Sequence, residues 1–143
     1  MPAWRRFVAG VTYARMTGER FARRVFTGAG IYGVVCIVPM YWLEQYLGEQ
    51  YPPPITHPEF FYGFAGVTLA WQLVFLVMGG SPMRYRPLML PAIVEKLGWG
   101  VAVSVLVTRG RTSPAMLPPA FIDLALAVLF ALSFVRTRAS REN

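Results

Sequence analysis

The chain has one cysteine, one histidine and one lysine in 143 residues. A single cysteine excludes an intramolecular disulfide, and Cys36 stands inside an apolar block, where it serves as a small packing residue. The single histidine, His57, lies in a proline-rich loop with no partner ligands, which argues against a metal site. No haem ligand pair and no flavin or nicotinamide fingerprint is present, so no cofactor and no metal is expected. The N-terminus lacks the short basic region and small-residue cleavage site of a standard signal peptide, so the first apolar block is expected to stay in the membrane. Acidic residues are also few: seven Asp and Glu against fourteen Lys and Arg, a net charge of +7.

What the chain does have is apolar residues, 55% of the total with mean hydropathy +0.44, gathered in blocks. Ordinary soluble domains do not concentrate them this way. All basic residues but Lys96 are arginines, clustered at the ends of the blocks, which is the pattern of anchors at a membrane surface. A nucleic-acid partner is not expected, because no soluble basic face is present.

In chain order, residues 1–24 form a basic segment, with residues 2–24 read as an amphipathic helix. Trp4, Phe7, Val8 and Val11 recur at helical spacing. Arg5, Arg6, Arg15, Arg20, Arg23 and Arg24 make the counter-surface. Such a helix lies in the headgroup layer with its arginines toward anionic lipid, and Gly10 and Gly18 are expected to weaken or break it. Residues 25–43 are the first span, closed by Tyr41, Trp42 and the nearby Tyr46 as an aromatic belt, with Pro39 expected to bend it. Residues 44–58 read as a loop whose Pro52-Pro53-Pro54 favours extended backbone. Residues 60–78 form the second span, where Gly66 and Ala70 make a small-xxx-small pair for helix packing or partner contact. The short link SPMRYRP carries Arg84 and Arg86 and makes the second and third spans antiparallel neighbours. The third span is 88–107 and the fourth 120–135, followed by a basic tail over 137–143.

The expected fold is therefore all-α: an integral membrane antiparallel four-helix bundle over residues 25–136, preceded by an interfacial amphipathic helix. The N-terminus, the second loop and the C-terminus hold eleven arginines; the first and third loops hold two, Arg109 and Arg111. By the positive-inside rule both termini are cytoplasmic. Arg5, Arg6, Arg23, Arg24, Arg84 and Arg86 then meet lipid headgroups. Asp123, read as lying in the first turn of the fourth helix, is expected to meet the helix dipole and, with Glu44 or Glu59, to offset Arg109 and Arg111.

Glu95 and Lys96 interrupt the third span, and ionisable groups at that depth are costly. At ~1.5 Å per residue, Glu95, Gln72 and Tyr32 all fall ~10 Å from the cytoplasmic end, in one layer. Gln72 and Tyr32 are candidate donors to Glu95, with Trp99 nearby. Glu95 shares its face with Pro91, Ala92, Gly98 and Ala102, and small residues mark the side that packs, so Glu95 is expected to point into the bundle. Lys96, turned ~100° away, is expected to snorkel toward the headgroups or to meet a partner subunit.

The stretches RYRPLM (Arg84–Met89) and VEKLGWG (Val94–Gly100), with the spacing of the four spans, resemble small bacterial membrane proteins of the DoxX-like and BphX-like groups. The resemblance covers the four-helix body and implies a bundle in a bacterial inner membrane; it transfers no catalytic residue. With no catalytic set, the expected role is an accessory or scaffolding subunit whose partners are the lipid bilayer and other membrane subunits or further copies of the chain. Two alternatives stand beside it: an apolar small molecule or quinone bound at Glu95, and proton or solute transport by an oligomer.

Overall fold

The computed structural model describes residues 3–51 and 54–138, with side chains from residue 16 onward. The side chains of Trp4, Arg5, Arg6 and Phe7, Pro52-Pro53 of the proline run and the tail from residue 139 lie outside the described residues. The described chain is all helical: α1 (Ala3–Ile37), α2 (Glu44–Gln50), α3 (Pro58–Gly80), α4 (Met89–Thr108) and α5 (Leu117–Arg136). Four stretches are long and apolar enough to cross a membrane: Met16–Trp42, Pro58–Gly80, Arg86–Thr108 and Pro114–Arg136.

The helix ends follow from local chemistry. α1 stops before Pro39, which has no N–H to continue the ladder, and the chain tightens into a 3-10 turn over Val38–Trp42. Pro39 thus ends the helix rather than bending it. α3 opens on Pro58 with Glu59 in its first turn, where a missing donor is harmless and a negative charge meets the dipole. α4 closes with Gly110 at φ 65°, the left-handed position glycine suits, while Gly110 N–H bonds Val107 O and Arg111 N–H bonds Leu106 O.

Other features also differ from the sequence expectation. α1 runs unbroken through Gly10 and Gly18, so the basic segment and the first span are one helix. Gly18 is kept small for another reason: a side chain there would strike the Arg136 carbonyl of α5. The stretch 44–58, read as a loop, also contains α2 over Glu44–Gln50.

The core is an aromatic stack. Phe26, Phe75 and Phe130, from α1, α3 and α5, are fully buried, with ring centroids 4.3 Å apart for Phe26–Phe130 and 5.0 Å for Phe75–Phe130. The closest backbone approaches join α1 to α3, α4 to α5, and α1 to α5. α3 and α4, expected as close neighbours from their short link, meet instead through large side chains such as Phe64 and Trp99, 6.4 Å apart. Glycines set the close pairs. Gly30 and Gly33 let α1 lie against Gln72, and Gly79 lies against Thr27. Gly100 faces Leu124 and Ala120 of α5.

Arginines gather at one end of the bundle. Arg86 Nη2 donates to the Phe134 carbonyl at 3.0 Å, and its guanidinium covers the Phe134 ring at 3.8 Å. Arg136 covers the Phe21 ring at 4.4 Å. The start of the first span, the second loop and the end of α5 therefore share one end, as the arginine pattern requires. At the other end Tyr62 donates to Glu44 at 2.8 Å and stacks near Tyr41.

Candidate functional site

The chemistry of this chain is concentrated in the middle of the bundle. α4 presents Met89, Ala92, Lys96, Gly100 and Val103 inward, a repeat of three and four residues. Lys96 is therefore buried, and its expected outward course is not what the chain adopts. Its side chain is 6% exposed. Its ammonium lies 3.1 Å from Asp123 Oδ1 on α5 and 3.4 Å from Glu95 Oε2 on α4, and 5.5 Å from the centre of the Phe75 ring on α3. An ammonium has three donors and no acceptor, and here two carboxylates and a ring face share them.

The reason for the reversal is the partner. A lysine in an apolar interior needs an opposing charge within reach, and α5 supplies one at the right height. Asp123 is the seventh residue of α5, beyond its first turn, because the helix begins at Leu117 and takes Pro118 and Pro119 into that first turn. It thus faces Lys96 and not the Arg109/Arg111 loop. Glu95 sits at the edge of the cluster with its side chain 16% exposed, and its buried Oε2 faces the Lys96 ammonium.

The other sequence candidates fall around this triad rather than in one hydrogen-bonded layer with Glu95. Gln72 is buried, but its amide donates to the Thr68 carbonyl of its own helix at 3.0 Å and its side chain packs on Gly33. Tyr32 is 40% exposed, its hydroxyl pairs with Cys36, and it reaches Asp123 only through the electrostatic field. Trp99 stacks on Phe64. Gly66 faces only the Tyr41 hydroxyl, and Ala70 is exposed. Gly98 is exposed with open space where a side chain would stand, and Pro91 and Ala102 on the same face are exposed too. Of the face read as packed into the bundle, Ala92 alone is buried; Pro91, Gly98 and Ala102 are turned outward.

Arg23, Arg24 and Arg84 are exposed at the basic end, and Arg86 is half-buried. Arg23 meets Glu19 at 3.7 Å and Arg84 lies over Tyr85. At the opposite end an open cleft is lined by Glu44, Gln45, Gly48, Glu49, Pro54 and Ile55, and His57 pairs with Glu59 at 3.2 Å, both exposed. Sequence reasoning missed the Lys96–Asp123 pair. Part of its signal was present, one lysine and one aspartate on consecutive spans, but counting the fourth span from Ala120 set Asp123 in a first turn, away from Lys96. No family model matches the chain, and no curated protein and no solved structure matches it.

Proposed function

We propose that this chain is a non-catalytic subunit of a larger helical membrane assembly, docking through the outward face of α4. The observation that carries the reading is the unpacked small-residue face. Gly98 and Ala102 form a small-xxx-small pair one turn beyond Glu95, and none of the described residues covers Gly98. In lipid, helices associate by close backbone approach, and small residues permit it. Leucines would serve better against lipid tails alone. Only 17–22% of the residues in each span are buried within the chain, which leaves ample surface for neighbouring helices. On this reading the chain lies in a bacterial inner membrane with its arginine-rich end toward the cytoplasm and the headgroups, as the positive-inside rule and the DoxX-like resemblance suggest.

The test is native mass spectrometry and blue-native electrophoresis of gently solubilised full-length protein. Wild type is expected in a complex larger than one chain. Gly98→Leu and Ala102→Leu should release it, while Gly28→Leu, on open space of α1, should not. A wild-type chain that always runs as a lone monomer, or a complex indifferent to both α4 variants, would overturn the proposal.

A further inference from the structure

The central triad does not balance its charge. With Glu95, Lys96 and Asp123 all ionised, two carboxylates face one ammonium. The cluster is deep: Lys96 stands ten residues from Arg86 and twelve from Thr108, the two ends of its span. At ~1.5 Å per residue that is ~15 Å and ~18 Å, the middle of a hydrocarbon layer ~30 Å thick. An excess charge there has no water to solvate it.

Among the described residues, the surrounding elements offer no second cation. From α1 the facing titratable groups are Tyr32 and the Cys36 it pairs with, both uncharged when protonated. α3 brings the Phe75 ring and Gln72, whose amide is already committed to Thr68. α5 brings Asp123, and α4 brings Glu95 and Lys96. The described arginines of the spans, Arg20, Arg23, Arg24, Arg86 and Arg136, lie toward the arginine-rich end of the bundle, and Arg109 lies just beyond the other end of α4. A metal ion would require several oxygen ligands at a point where an ammonium already stands between the two carboxylates.

We infer that the triad is a proton-binding site that holds one exchangeable proton, carried by Glu95. Proton uptake from water forms an O–H bond on the Glu95 carboxylate, leaves Lys96 as ammonium and Asp123 as carboxylate, and brings the cluster to neutrality. Glu95 takes the proton because Asp123 has the closer contact with the ammonium, 3.1 Å against 3.4 Å, and so gains more from staying ionised. The inference concerns the single chain and stands whether or not the assembly forms.

The experiment is infrared difference spectroscopy of the full-length chain in lipid nanodiscs at neutral pH. A carboxylic-acid C=O band that shifts on deuteration is expected in wild type. Charge counting fixes the variants. Glu95→Gln removes the group that carries the proton, and Asp123→Asn leaves Glu95 alone with Lys96; each should abolish the band. Lys96→Met leaves two carboxylates without a cation and should about double it. Absence of the band in wild type, or its survival in Glu95→Gln, would overturn the proposal. The wild-type spectrum decides the matter even if a variant fails to fold.

Discussion

Replacing Lys96 by Met removes the ammonium and keeps the length of the stem. The Lys96–Asp123 contact is 3.1 Å, with the two side chains 6% and 13% exposed. Coulomb's law at an effective dielectric of ~20 gives an attraction of about 5 kcal/mol at that distance. Much of it repays the desolvation of both ions, but breaking the pair from one side leaves the other side unpaid, and such truncations cost about 3–5 kcal/mol. The expected loss for Lys96→Met is therefore about 3–5 kcal/mol. Asp123→Asn should cost less, because Glu95 remains as a partner for the ammonium. The double variant Lys96→Met/Asp123→Asn should be more stable than the sum of the two singles by at least ~2 kcal/mol. Reversible unfolding in mixed micelles, followed by helical circular dichroism, measures all three. Neutral interhelical hydrogen bonds in membranes average a coupling of only ~0.6 kcal/mol. A measured coupling at or below that value would refute the claim that α4 and α5 are held by an ion pair.

Three further outcomes follow from packing. Gly33→Val would drive a side chain into Gln72 and should cost about 1–3 kcal/mol by overpacking, whereas Gly28→Ala, with open space around it, should be neutral or gain up to about 1 kcal/mol of helix propensity; thermal unfolding of the two compares them directly. Phe130→Ala should cost about 3–5 kcal/mol in the same assay, since the ring is fully buried between Phe26 and Phe75. Arg86→Lys should lose about 1–3 kcal/mol despite keeping the charge, because a lysine cannot both cover the Phe134 ring and reach its carbonyl with a planar fork; equal stability would show that only charge counts at that end.

The spans and the sorting of their ends were legible because both are properties of whole segments. Hydropathy summed over twenty residues is insensitive to any one side chain, and arginines cannot enter the apolar layer without a partner. The boundaries slipped where proline acts by position. Pro118 and Pro119 are tolerated in a first turn, so α5 begins three residues before Ala120, and Asp123 moves almost a turn deeper than the count from Ala120 suggests. That small shift separates a capping role near the loop from a role at the centre of the bundle.

The rotation of α4 was not legible from α4 alone. Small residues lie on both candidate faces: Gly98 and Ala102 with Glu95, Gly100 with Lys96, and Ala92 between the two, three residues from one and four from the other. A pattern carried equally by two faces ~100° apart cannot choose between them. The choice is made by α5, where Ala120 and Leu124 leave room only for Gly100 and Asp123 supplies an opposing charge from across the helix pair. Lys96 turned inward satisfies an ammonium and buries a long stem, whereas Glu95 turned inward would have opposed Asp123 with a like charge across the same gap. The electrostatics of the α4–α5 pair thus fix the rotation of α4, and with it the outward exposure of Gly98 and Ala102. If Asp123 were replaced by an apolar residue, the same helix would lose its reason to keep that face outward, and its small residues would become free to pack within the chain.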